Sequence, residues 1–118
     1  MKATTARGLL LAGVLALGAC GGGGSTEGMS GAELFVEIGC HACHGDSDTE
    51  VAPTLEGVWG SEVSLSDGRT VVVDEDYVRQ SLTDPNADIV EGFEPRMPAF
   101  ALTESEVDRL VDYVRSRG

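Results

Sequence analysis

Positive charge is scarce in this sequence. Its 118 residues include 8 lysines and arginines against 20 aspartates and glutamates, for a formal net charge of −12. Lys2 and Arg7 lie at the N-terminus, whereas every acidic residue follows Cys20. Nucleic-acid binding needs a basic surface that neutralises phosphates. We therefore exclude nucleic acid as a partner and expect either a simple solvated surface or an acidic face that docks on a basic partner protein.

The sequence also lacks an apolar run long enough to cross a membrane at its N-terminus. Residues 8–19 form an apolar run of twelve, whereas a transmembrane helix needs about 20 residues. A run of this length after a basic start is typical of an export signal. It ends in Leu17-Gly18-Ala19-Cys20, which resembles the bacterial lipoprotein cleavage box and implies a lipid on Cys20. An ordinary signal cut near Ala19 would instead leave Cys20 as a free thiol.

The eight residues directly after Cys20 offer almost nothing that could be buried. Residues 21–28 read GGGGSTEG, which predicts a flexible tether. We predict a signal peptide over residues 1–19, a lipidated cysteine and tether over 20–30, and one folded domain over 31–118. The protein is expected to be exported and to act as a monomer, anchored by lipid at the periplasmic face of a bacterial membrane.

Aromatic residues and cysteines are few. The chain has six aromatic residues and three cysteines. Cys40 and Cys43 lie too close in sequence for a useful loop-closing disulfide. A core this small often needs a staple. A cofactor that forms part of the core would provide one.

Local patterns predict a mainly helical domain. Ser30–Glu33 and Thr103–Glu106 are capping boxes, which mark the starts of a first and a last helix. Gly39 can end the first helix. Asp74 can cap a short helix that runs to about Leu82.

One small β-hairpin is predicted over about residues 63–73. Its signal is the Asp67-Gly68 pair between two apolar runs. Residues 51–60 and 86–100 are predicted to be loops. Loops of this length in a small domain indicate that something fills the space that they surround.

The segment Cys40-His41-Ala42-Cys43-His44 has the C-x-x-C-H pattern of c-type haem attachment. On a helical turn, positions i, i+3 and i+4 share one face. Both thiols can then reach the haem vinyl groups while His44 points at the iron. A structural zinc site would need four ligands, and a second pair is missing because the only other histidine is His41. A thioredoxin-type redox pair would need a βαβ setting, whereas a capped helix comes before this motif.

A haem iron needs a sixth ligand or an open site. Apart from the initiator, only Met29 and Met97 could supply a thioether. Met97 lies 53 residues after His44, on an irregular segment, and Pro98 follows it. We predict Met97 as the ligand, the alternative being a flexible apolar filler. His/Met ligation raises the haem potential and closes the site to oxygen or peroxide chemistry.

Together these features resemble a class I monohaem cytochrome c over Gly31–Arg117. The closest resemblance is to the cytochrome c domain fused to subunit II of some bacterial haem-copper oxidases. The matching segments are residues 31–35, 39–45, 52–55, 63–73, 77–85, 97–100, 102–104 and 110–113. The resemblance implies a cytochrome c fold of three to five short helices around one covalent haem c.

The resemblance also implies where the first and last helices meet. Gly31 and Phe35 would contact Leu110 and Tyr113, and the small Gly31 would allow a close crossing.

Two further residues acquire roles through the resemblance. The carbonyl of Pro53 would accept the Nδ1 proton of His44, which would fix the ring and tune the iron. The indole of Trp59 would bond a haem propionate, or Trp59 would serve only as a core residue.

The expected function is one-electron transfer between redox protein partners in a respiratory or periplasmic chain. In the fused oxidase domains a membrane-anchored copper domain comes first, whereas here a lipoprotein-like start takes its place. A free-standing, membrane-tethered carrier is therefore expected, without catalytic residues. The alternative is a permanently bound cytochrome subunit of an oxidase or dehydrogenase complex. A haem enzyme or gas sensor would require that Met97 does not hold the iron.

Overall fold

The computed structural model describes residues 25–118, so the predicted signal peptide and Cys20 lie outside the described residues. The described elements are α1 (Gly31–Glu37), a 3₁₀ turn (Cys40–Ala42), β1 (Glu62–Ser64), β2 (Thr70–Val72), α2 (Glu75–Thr83) and α3 (Glu104–Ser116). Three helices and one two-stranded sheet confirm the predicted mainly α architecture. Between residues 25 and 118, no helix is both long and apolar enough to cross a membrane.

Both predicted capping boxes are present. At the start of α1, the Ser30 hydroxyl accepts from the Glu33 N–H at 3.3 Å, and the Glu33 carboxylate accepts from the Ser30 N–H at 2.8 Å. Thr103 and Glu106 make the same pair of bonds at the start of α3. These bonds satisfy backbone donors that a helix start leaves without partners. Gly39, at φ +92°, ends the first helix in the left-handed region as predicted.

The predicted hairpin pairs Val63 with Val71 in antiparallel register. Gly68 has φ +88°, which is the conformation that the Asp-Gly turn requires. Just beyond β1, Leu65 forms a bridge with Val90 and is 2 % exposed. This bridge attaches the long loop after α2 to the hairpin.

The core lies where α1 crosses α3. A Cβ placed on Gly31 would lie 2.1 Å from the Arg109 carbonyl oxygen and 2.7 Å from the Tyr113 Cβ. The two helix backbones therefore approach to a distance that only glycine permits. Beside this contact the rings of Phe35 and Tyr113 meet at 5.1 Å between centroids. The buried core residues are Leu34, Phe35, Val73, Val78, Leu82, Val107, Leu110, Val111 and Val114.

The chain before α1 is attached to α3. The Thr26 hydroxyl donates to the nearly buried Glu106 carboxylate. The Arg109 guanidinium donates to the carbonyl oxygens of Thr26 and Met29. The packed part of the chain therefore starts at Thr26, a few residues before the boundary predicted at residue 31, because Glu106 binds the Thr26 hydroxyl and Arg109 binds the backbone of Thr26 and Met29.

Candidate functional site

The C-x-x-C-H segment forms one tight helical turn directly after Gly39. The N–H of Cys43 donates to the Cys40 carbonyl at 3.2 Å, and the N–H of His44 donates to the same carbonyl at 2.9 Å. This is the turn that the spacing predicts. Burial raises the pKa of the Cys40 thiol, whereas Cys43 is exposed.

A cavity of about 340 Å³ opens beside this turn. Its lining includes Cys40, Cys43, His44 and Met97, so the structure brings the two thiols, the imidazole and the thioether to one space. His41 is exposed and is not part of the lining. The remaining lining is mostly apolar: Phe35, Ile38, Val51, Ala52, Pro53, Leu55, Val58, Val63, Val73, Tyr77, Val78, Leu82, Pro85, Ile89, Val90, Phe93, Pro95, Pro98, Phe100, Leu110 and Val114, with a few polar side chains. This volume and lining fit a large apolar cofactor that carries a metal.

His44 is oriented by the backbone. Its Nδ1 lies 2.8 Å from the carbonyl oxygen of Pro53. A carbonyl can only accept, so Nδ1 carries the proton, and in the neutral ring Nε2 is the nitrogen that offers a lone pair to a metal. This is the contact that the sequence resemblance implies for Pro53. Such a bond fixes the ring and raises its basicity as a ligand.

The segment from Cys43 to Leu55, here called the histidine loop, is held by its own polar side chains. The Thr49 hydroxyl donates to the Cys43 carbonyl at 3.1 Å and accepts from the Ala52 N–H at 3.1 Å. The Thr54 hydroxyl donates to the Gly45 carbonyl at 3.2 Å, and its N–H donates to Asp48 at 2.8 Å. These bonds connect the two arms of the loop on either side of the His44–Pro53 contact.

The segment from Gly92 to Leu102, here called the methionine loop, is held differently. Its backbone bonds span only two or three residues, as between the Arg96 N–H and the Glu94 carbonyl at 2.8 Å. Within the described residues, no side chain from 92 to 101 makes a hydrogen bond. Met97 and Leu102 instead pack against the apolar core. The loop that carries the thioether therefore depends on apolar contacts with the cavity.

Trp59 is placed apart from the other predicted site residues. It is half-buried and is not among the residues that line the cavity. The Arg115 guanidinium lies over the indole, 4.7 Å from the Trp59 ring centroid. A propionate bond from Trp59 stays a prediction. The sequence reasoning did not single out Thr49 or Arg117, which hold the histidine loop. Thr49 bonds within an irregular loop, and Arg117 bonds to residues far from it in sequence, so no periodicity or spacing predicts either set of contacts.

Comparison with known proteins places these observations in a family. The family model described as cytochrome c matches residues 29–118. Among solved structures, the chain is similar to cytochrome cH from Methylobacterium extorquens, with 26 % identity and a TM-score of 0.54. That alignment covers 73 % of this chain and 94 % of cytochrome cH. Among curated proteins, none matches the chain.

Proposed function

The chain belongs to the cytochrome c family, whose members carry electrons on a covalent haem c, and we propose that its haem is held by Cys40, Cys43, His44 and Met97. One observation carries the proposal: these four side chains line the same apolar cavity of about 340 Å³. The set holds two thiols, one imidazole and one thioether. It is the set expected for a haem c with His/Met ligation.

The chain's own residues have separate tasks. The bound haem supplies an iron that takes up and releases one electron. Cys40 and Cys43 attach the group covalently, and His44 offers Nε2 because Pro53 fixes its Nδ1 proton. Met97 supplies a neutral thioether, which favours the reduced iron and so a comparatively high potential. The apolar lining limits water near the iron.

The experiment that tests the ligand set is a redox titration with ligand-binding spectra on wild type and Met97→Ala. We expect the substitution to lower the potential and to open the iron to carbon monoxide or cyanide. The matched control is Met29→Ala, because Met29 also packs against the core but does not line the cavity. If wild type already binds carbon monoxide and neither potential nor spectrum changes in Met97→Ala, a haem enzyme or gas sensor becomes the better reading.

We further propose that the carrier is exported and tethered to the periplasmic face of a membrane by a lipid on Cys20. The support is in the sequence: the Leu17–Cys20 box, the apolar run before it and the glycine-rich segment after it. Wild type should partition with membranes, and Cys20→Ser should release the protein or block its processing. One acyl chain alone binds only marginally, so stable partitioning would indicate several chains. Identical soluble fractionation of both proteins would exclude the anchor.

The redox partners are proposed to present a basic face. The described chain holds all 20 acidic residues and only six arginines. Four of these arginines, Arg69, Arg79, Arg115 and Arg117, are already paired with carboxylates. The free surface is therefore strongly negative, which favours association with a basic surface at low salt.

A second candidate is a permanently bound cytochrome subunit of an oxidase or dehydrogenase complex. The sequence resemblance to the domain fused to oxidase subunit II favours it. Purification in mild detergent separates the two candidates, because a bound subunit stays with its complex through successive columns. A free carrier is recovered alone.

A further inference from the structure

Arg117, the residue that follows α3, contacts the chain at both ends of the histidine loop. Its guanidinium donates to Asp46 at 3.3 Å and to Glu56, which follows the loop directly. Asp46 comes two residues after His44, and Glu56 comes three residues after Pro53. One side chain therefore ties together the two arms whose contact is the His44–Pro53 hydrogen bond.

The guanidinium of Arg117 is itself held in place from the helix side. It lies over the Tyr113 ring at 5.2 Å from the centroid, and its NH1 donates to the Tyr113 hydroxyl at 2.6 Å. The side chain is 20 % exposed, and its buried Nε finds no acceptor among the described residues. An unpaired buried donor is unfavourable, so the position of the group is set by its other contacts. Tyr113 in turn packs on Phe35 at the helix crossing.

We propose that Arg117 is a positioning residue, which holds the Pro53 carbonyl against His44 and thereby tunes the haem iron. The proposal rests on the proposed function, in which His44 binds that iron. The guanidinium fixes Asp46 and Glu56 relative to the rigid α1–α3 crossing. Movement of the loop arms is then restricted, and the His44–Pro53 bond keeps its length. A firmer bond gives a more basic imidazole, which favours ferric iron.

Arg117 differs from the other paired arginines of residues 25–118 in the part of the chain that it holds. Arg79 binds Glu75 on its own helix and Asp108 on α3, far in sequence from the histidine loop. Both arginines bridge elements by exposed or half-exposed carboxylates, and a surface pair of this kind contributes little by itself. What distinguishes Arg117 is the loop that it holds.

The fold should survive the loss of this side chain. The Arg117 carbonyl still accepts from the Gly57 N–H at 3.0 Å, and that bond does not depend on the guanidinium. The backbone clamp between the end of α3 and residue 57 remains in any Arg117 variant. Side-chain substitution therefore tests positioning rather than folding.

The experiment compares holoprotein wild type with Arg117→Gln, and with Arg79→Gln as the matched control. The readouts are the reduction potential and the exchange rate of the His44 Nδ1 proton by NMR. In Arg117→Gln we expect the potential to rise and the His44 Nδ1 proton to exchange roughly fivefold faster. A change of this size matches the loss of one partly shielded ion pair. Arg79→Gln should change neither. Glu56→Gln should move both readouts in the same direction, and Arg117→Lys should restore them in part.

Two outcomes are distinguishable. If wild type lacks a His/Met spectrum, the proposed ligand set fails whatever Arg117 does. If wild type shows that spectrum but Arg117→Gln keeps the wild-type potential and exchange rate, Arg117 is only a structural residue and this inference is overturned.

Discussion

The histidine loop and the methionine loop line the same cavity but are built in different ways. In the histidine loop, Thr49 and Thr54 bond to backbone groups up to nine residues away, and His44 is bonded to Pro53. Over residues 92–101 the structure shows no side-chain hydrogen bond, and Met97 is held by apolar packing. The protein thus fixes His44, one of the two proposed ligands, through its own polar network and leaves Met97, the other, to contacts with the cavity.

The difference indicates where the cofactor stabilises the fold. Hydrogen bonds within the histidine loop join groups of the chain itself. Apolar side chains of the methionine loop, such as Phe93 and Phe100, line the cavity that is proposed to hold the haem. Removing the haem should therefore loosen the methionine loop before the histidine loop.

The largest effect is expected from Cys40→Ala/Cys43→Ala, which removes both attachment points. Without covalent attachment, the group that fills the apolar cavity of about 340 Å³ is easily lost, and the domain then loses much of its core contact; the whole stability of a small domain is only about 5–15 kcal/mol. We expect the double variant to lose helical circular dichroism at room temperature. Acidic organic extraction should leave haem on the wild type.

The single variant Cys43→Ala is the control, since it keeps one thioether bond and should remain folded. A double variant that melts like wild type, or a wild type from which the extraction strips haem cleanly, would contradict the covalent attachment.

The next prediction concerns the crossing of α1 and α3, which lies outside both loops. Gly31→Val places side-chain atoms against the Arg109 carbonyl, where even a Cβ would lie at 2.1 Å. We expect a loss of about 3 kcal/mol in the free energy of unfolding, because overpacking against backbone cannot relax easily. The potential of any folded protein should stay near that of wild type.

Ala32→Val is the matched control for Gly31→Val. Ala32 is exposed one position along the same helix, so this change costs only helix propensity, about 0.5 kcal/mol. Equal denaturation midpoints for the two variants would show that the helix crossing is looser than the structure has it.

A smaller effect tests the polar network of the histidine loop. Thr49→Val keeps the shape but removes the hydroxyl that bonds the Cys43 carbonyl and the Ala52 N–H. We expect a loss of about 1 kcal/mol, with faster amide exchange confined to the histidine loop. Thr83→Val is the control, since its hydroxyl bonds only the Arg79 carbonyl within α2. Unchanged exchange in Thr49→Val would mean that the two loops are equally mobile.

The smallest effect concerns the stability of the fold at low pH and depends on Glu106 of α3, which lies outside both loops. Hydrogen bonds from the Thr26 hydroxyl, and then from the Thr103 backbone N–H and hydroxyl, lower the pKa of Glu106 below its ordinary value of 4.5. A lowered carboxylate pKa stabilises the fold above the ordinary value, and this contribution is lost as pH falls through the folded value. Glu106→Gln should therefore flatten the fall in Tm as the pH drops below the ordinary value of 4.5.

Glu104→Gln is the control for that titration, because Glu104 is 93 % exposed and only touches Arg79 at 3.5 Å. If Tm depends on pH in Glu106→Gln as it does in wild type, the Thr26–Glu106 contact does not contribute to the acid sensitivity of the fold.

Local sequence patterns predicted the helices and the hairpin because their determinants are short-range. Ser30 with Glu33, Thr103 with Glu106, and the Asp67-Gly68 turn act within a few residues, and each is present in the structure. The haem-binding turn belongs to this group, since Cys40–His44 is one contiguous segment. The family resemblance, not the local pattern, pointed to Gly31 at the helix crossing.

The supporting contacts of the site were less accessible from the sequence. Arg117 lies 61 residues from its partner Glu56, and in sequence it is one more arginine at a helix end. The extension of the packed chain to Thr26 was missed for the same reason, because it depends on Arg109 and Glu106 of α3. Hydrogen bonds between residues far apart in sequence form only in the folded chain, so no periodic pattern in the sequence predicts them.

Attachment of Thr26 to α3 sets how far the domain could travel. With a lipid on Cys20, only residues 21–25 would separate the anchor from the first held residue, and a glycine-rich stretch of that length spans about 12 Å. The electron carrier would then stay within roughly its own diameter of the lipid headgroups. Its search for partners would be lateral diffusion in two dimensions, and local concentration, rather than tight binding, would bring donor and acceptor together.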